Sequence, residues 1–230
     1  FIDIDADLIP SAEQATNEKD ILYLADSDEI KAVFRLSLNP KRLAYYANLD
    51  LRQGNYGSAK RNYSLLYKHY DLNADGVSDY ALALTALQDY AGAEALYRDL
   101  IKKDMMEPRH HLGYANLLFL NRKPEAEQHY RIALSGAKDD PLKSKALQGL
   151  GRIAASKKNY MKSLELFKQA VDKDNTNAVI HTDLARVYAD LRDYDKALQQ
   201  MDIAESLGFK DTQMLKARIA QAKKKVRNPQ

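Results

Sequence analysis

Asp71-x-Asn73-x-Asp75-Gly76 sets three oxygen-bearing side chains at alternate positions, with Asp79 further on. This is how a calcium loop begins, but such a loop needs six to eight oxygens and a bidentate Glu at its twelfth position. The twelfth position here is Leu82, so the ring cannot close. A short run rich in Asp, Asn and Gly reads instead as a polar linker between helices. His110 and His111 are adjacent, and neighbours on a helix point about 100° apart, too divergent to share one metal ion. His69, His129 and His181 are scattered along the chain. No Gly-rich phosphate loop, HExxH pair or nucleophilic Ser motif occurs. The 230 residues include no cysteine, which excludes disulfides, thiolate zinc sites and thiol nucleophiles. The expectation is a protein that is not an enzyme and carries no cofactor or metal.

The elements that would position these side chains follow from a repeat. Small residues return as Ala59, Ala93, Ala126, Ser163 and Ala197, each followed four positions later by Tyr63, Tyr97, Tyr130, Phe167 or Met201. Twelve or thirteen residues ahead of each stands a second small residue, read as Ala47, Ala81, Gly113, Gly151 and Ala185. Small residues let two helices approach and the bulky one fills the gap beside them, so a period near 34 residues implies a stacked array of helical hairpins.

Leu184-Ala185-Arg186-Val187-Tyr188 followed by Tyr194-Asp195-Lys196-Ala197 resembles the tetratricopeptide repeat (TPR) family. The resemblance spans about residues 40–211, without the family's Trp and without its Pro at the end of the second helix. It implies an all-α, right-handed α-solenoid of about five TPR hairpins, at 40–73, 74–106, 107–143, 144–177 and 178–211. Residues 1–39 read as an acidic lead and a degenerate N-terminal hairpin, with helix starts at Ser11-x-x-Gln14 and Ser27. Residues 212–230 read as a basic capping helix and tail, with Leu215, Ile219, Ala222 and Val226 on one face. The third hairpin's turn is expected to hold one extra residue, and Ser135–Pro141 to form a lengthened loop.

The resemblance also implies a concave groove lined by the first helix of each hairpin. The residues carried over onto it are Lys41, Asn48, Leu82, Thr85, His110, Tyr114, Leu117, Lys145, Gln148, Arg152, Thr182 and Arg186, with Ala44, Leu51, Asp75, Ser78, Glu107, Ala155, Val179 and Ala189 beside them. Arg152 and Arg186 suit a carboxylate, which guanidinium binds bidentately; they could equally pair with Asp183 and Asp190. Of the family's chaperone-tail clamp only Asn48 remains, so that cochaperone role is not expected.

Net charge is +3, too small to argue for nucleic acid, and no nucleic-acid partner is expected. The ends differ in sign: residues 1–30 carry nine acids against Lys19, and residues 210–230 carry seven bases against Asp211. The chain opens at Phe1 without Met, so the expectation is that something has been removed, by hand or by a peptidase, and that membrane association would come only through an anchor ahead of it. The function expected is a scaffold that binds a peptide or protein, acidic or carboxylate-terminated. The chain looks like the TPR accessory proteins of bacterial pilus assembly and secretion (the Tad/Flp pilus and pilotin groups), which places it in the periplasm or cell envelope ahead of the cytoplasm. The alternatives are a cytosolic chaperone or regulatory TPR protein holding a secreted substrate, and the TPR part of a larger enzyme.

Overall fold

The computed structural model describes residues 40–210 and 212–227. The acidic lead, the N-terminal hairpin, Asp211 and residues 228–230 lie outside the described residues. Among the described residues every regular element is a helix: α1 (Pro40–Arg52), α2 (Tyr56–His69), α3 (Ala74–Ala86), α4 (Tyr90–Lys103), α5 (Pro108–Leu120), α6 (Ala126–Gly136), α7 (Asp140–Ser156), α8 (Tyr160–Lys173), α9 (Ala178–Asp190), α10 (Tyr194–Ser206) and α11 (Thr212–Arg227). The chain divides into two compact units, Phe1–Ala93 and Glu94–Gln230.

Helix starts follow their capping residues. Asn73 Oδ1 accepts from the Gly76 amide at 2.9 Å, Asp139 from Leu142 at 2.8 Å, and Asn159 from Lys162 at 3.2 Å. Each side chain satisfies an amide that the first helical turn leaves unpaired. The calcium-like run is therefore the entry to α3: Asn73 caps the helix, and Asp79 lies within it.

In the first unit α1 and α2 form a hairpin around Leu43, Ala47, Ala59, Tyr63 and Leu66, with Ala83 of α3 packed against them. In the second unit, hairpins α5–α6, α7–α8 and α9–α10 follow in sequence, and α11 packs on α10. Phe167, Ile180, Leu184, Met201 and Ile219 belong to one buried cluster that runs from α7 to α11. Two hairpin helices come close enough for the Ser163 hydroxyl on α8 to donate to the Gly151 carbonyl on α7 at 2.8 Å.

One left-handed residue recurs in five of the turns between helices: Gly54, Gln88, Arg122, Lys158 and Arg192, with φ between 54° and 79°. Counting back from these residues gives a common register. Ala47, Ala81, Gly151 and Ala185 each stand seven positions before the turn residue, and so does Ala115. In the third hairpin the small residue is thus Ala115, fully buried, and not Gly113. Ala115 to Ala126 is one residue shorter than the Ala47–Ala59 interval, so the extra turn residue expected there is instead a deletion. The loop expected over 135–141 is also corrected. Only Ala137–Asp139 separates α6 from α7, and α7 is lengthened to 17 residues. Asp139 caps it and Pro141 sits in its first turn, where a missing amide hydrogen costs nothing.

On α11, Ile219 is buried and Leu215 is packed on the core, whereas Val226 is exposed. Its lysines are not merely solvated. Lys216 bonds Asp202 at 2.6 Å and also Glu205, and Lys223 bonds Asp195, all acids of α10.

Candidate functional site

The corrected register decides which side chains the first helices present. The residue after the small one is Asn48, Leu82, Asn116, Arg152 or Arg186, and each is exposed or half-buried. The residue four after the small one is Leu51, Thr85, Phe119, Ala155 or Ala189, each half-buried. Six before it stand Lys41, Asp75, Arg109, Lys145 and Val179, all exposed. The third hairpin therefore presents Arg109, Asn116 and Phe119 at these positions. His110, Tyr114 and Leu117, expected there, lie at packing positions and are 6%, 6% and 2% exposed. The correct residues could have been found from Ala47, Ala81 and Ala115, which are 34 apart and preceded by Tyr46, Tyr80 and Tyr114.

In the first unit Lys41 and Leu82 are exposed. Asn48 donates to Asp79 Oδ2 at 3.1 Å, and the same oxygen accepts the Tyr63 hydroxyl at 3.1 Å. Burial pushes the Asp79 carboxyl up, against the pull of those two bonds. Thr85 donates to the Ala81 carbonyl of its own helix at 2.8 Å.

In the second unit Gln148, Arg152 and Arg186 converge on one carboxylate. Gln148 Nε2 and Arg152 Nε both reach Asp183 Oδ2 at 2.8 Å, and an Arg186 guanidinium nitrogen is 3.9 Å from Oδ1. The Asp183 side chain is only 7% exposed. The two arginines expected to await a carboxylate thus share one from α9. Arg186 keeps 64% of its side chain exposed. Thr182 is buried and donates to the Ala178 carbonyl at 3.1 Å. Lys145 is exposed.

Two residues before the small one, α3, α5, α7 and α9 carry Asp79, Gly113, Gly149 and Asp183, where each meets the preceding hairpin. A Cβ on Gly113 would lie 2.6 Å from Cε1 of Tyr97, and one on Gly149 would overlap the Tyr130 ring. Glycine is required here by close approach rather than by backbone angle. The Tyr130 hydroxyl donates to Asn116 Oδ1 at 2.6 Å, and burial pushes its pKa up to about 12.

Buried His111 and half-buried His129 form a polar pair. His111 Nε2 lies 3.0 Å from the Met105 carbonyl, which can only accept, so this nitrogen carries the proton. His111 Nδ1 is then a lone pair, and His129 Nδ1–H donates to it at 2.9 Å. The two nitrogens point at each other rather than at a common third point, as a hydrogen bond requires and a metal site does not. Among the described residues no group of three or more His, Cys, Asp or Glu side chains could hold a metal ion. Burial holds the His129 pKa down, and the neighbouring His111 adds to this against a smaller contribution from Glu125. A histidine with a depressed folded pKa takes up its proton first in the unfolded chain. Stability is therefore full above pH 6.5 and falls as the pH drops from about 6.5 toward the folded pKa. Replacing His129 by Gln, the residue that Gln200 supplies to His181 Nδ1 at 2.8 Å in the fifth hairpin, should flatten that loss. The check is urea unfolding of both proteins at pH 7.5 and pH 5.5; equal acid sensitivity would refute it.

Models of the tetratricopeptide repeat match residues 47–108 and 116–178, and a further one matches 154–219. No curated protein matches the chain. Among solved structures, Pseudomonas aeruginosa PilF is 20% identical with a TM-score of 0.64, over 82% of this chain and 86% of that one. TTC0263 of Thermus thermophilus is 18% identical with a TM-score of 0.64, over 80% of this chain and 98% of that one. Yeast Tom70 is 17% identical with a TM-score of 0.66, over 96% of this chain but 48% of that one. Family models that together span most of the chain lead to one conclusion: the protein belongs to the tetratricopeptide repeat family.

Proposed function

We propose that this chain is a non-enzymatic scaffold that holds extended segments of a partner protein on the exposed surface of its first helices, each unit offering its own, in the assembly of a bacterial pilus or secretion complex. The observation that carries the reading is the alternation on those helices. Positions that pack are closed, while Leu82, Asn116, Phe119 and Arg186 recur in register with surface to offer. Hairpin arrays use such faces to grip extended chains, and the mixture of amide, apolar and cationic groups suits a peptide. The likeness to PilF supports the pathway. A second reading, the repeat part of a longer protein, is favoured by the match to under half of Tom70.

Photo-crosslinking amino acids placed at positions 82 and 116, and at the exposed second-helix positions 68 and 168 as controls, test the face. The native partner should crosslink from 82 and 116, and its identification as a pilus or secretion component would support the pathway. Crosslinks from 68 and 168 alone would overturn the proposed face.

A further inference from the structure

The helix α11 leaves an open cleft beside α9. Thr182 and Arg186 of α9 line one side, and Phe209, Lys210, Met214 and Arg218 complete a space of about 830 Å³. A second space of about 410 Å³ shares Arg186, Leu215 and Arg218 and reaches Ala189, Asp190 and Ala222. The lining combines two kinds of surface. Met214 is 76% exposed, far more than a lone packing residue needs, and Phe209 and Leu215 are half-buried beside it. The other kind is cationic. Lys210 and Arg218 have no ion-pair partner among the described residues, and Arg186 stands 3.9 Å from an Asp183 carboxylate whose closer bonds go to Gln148 and Arg152. The charges of α11 are thus divided. Lys216 and Lys223 are neutralised by acids of α10, whereas Arg218 faces the cleft without one.

We propose that this cleft binds a segment of the partner protein in which an apolar residue is flanked by carboxylates. Arg218, Arg186 and Lys210 hold the carboxylates, and Met214 with Phe209 receives the apolar side chain. Guanidinium groups bond carboxylates in pairs, and a methionine adapts its shape to whichever apolar side chain arrives. Asp190, which lines the second space, repels a carboxylate there and so sets which way the segment runs. The inference rests on the scaffold reading and names the class of sequence it recognises at its C-terminal end.

The test uses the full chain and a fluorescent peptide with the core Asp-Ile-Asp-Leu-Asp. Two control peptides replace either every Asp by Asn or both apolar residues by Ser. The acidic, apolar peptide should bind about tenfold or more tighter than either control, and its affinity should fall as salt rises. Arg218→Glu and Met214→Ser alter exposed side chains, and circular dichroism will confirm their helices. Each should weaken binding, the charge reversal by about tenfold or more. Equal affinity for the Asn control, unchanged binding by Arg218→Glu, or preference for a DNA oligonucleotide over the peptide would overturn the proposal. Crosslinks that persist at position 116 while Arg218→Glu has no effect would sink this inference alone. Peptide binding that persists without crosslinks at 82 and 116 would sink only the face assigned above.

Discussion

Replacing Gly149 with leucine should destabilise the second unit by about 2–3 kcal/mol, the upper part of the usual range for overpacking. A Cβ at this site already overlaps the Tyr130 ring, and the ring has nowhere to go. Tyr130 is 2% exposed, and its hydroxyl is held by Asn116 at 2.6 Å. Relief must come from separating α7 from α6, which opens the interface on which each hairpin depends. Gly151→Leu acts inside the next hairpin, where a Cβ would lie 2.7 Å from Phe167 Cε1, and should cost a similar amount. Urea unfolding followed by far-ultraviolet dichroism measures the loss. The Tyr130→Ala, Gly149→Leu pair should recover part of it, because the ring that causes the clash is gone. An unchanged midpoint in Gly149→Leu would refute the packing described here.

Asp183→Ala should cost about 1–3 kcal/mol, the penalty for leaving a buried polar partner unsatisfied. Gln148 is 8% exposed and loses its acceptor. Arg152, with 38% of its side chain exposed, can regain water, which keeps the cost below that of breaking a fully buried ion pair. Asp183→Asn retains an oxygen for one of the two donors and should cost less. The alanine variant has a second readout. With their shared carboxylate removed, Arg152 and Arg186 become an uncompensated cationic pair, so affinity for acidic peptides should rise while stability falls. Wild-type stability in Asp183→Ala would mean that the two hydrogen bonds and the longer ion pair contribute nothing net.

The helical class, the hairpins and most of the contact face could be read from the sequence because one geometric requirement, a small residue where two helices cross, recurs at a nearly fixed interval. The reading slipped in the third hairpin, where Gly113 and Ala115 are both small. Gly113 makes room for the Tyr97 ring, whereas Ala115 is fully buried at the position that Gly151 holds in the next hairpin, against Phe167. Composition cannot separate those two duties; the interval of 34 could. The convergence of Gln148, Arg152 and Arg186 on Asp183 was legible only as one possible pairing, since it depends on how neighbouring helices are rotated. The cleft beside α11 left no periodic signal, because that helix has no second helix among the described residues to complete a hairpin.

The seams between hairpins differ in kind, and this limits how the chain could be rearranged. Tyr63 meets an aspartate that accepts its hydroxyl, Tyr97 and Tyr130 meet glycines that make room for their rings, and Phe167, lacking a hydroxyl, precedes an aspartate bonded elsewhere. Each junction is thus a lock cut for its own key. Moving the fifth hairpin to follow the third would set Asp183 against the Tyr130 ring, where only glycine fits. The modules share one architecture but are not interchangeable, and duplication or shuffling of this array would have to recut the junction along with the module.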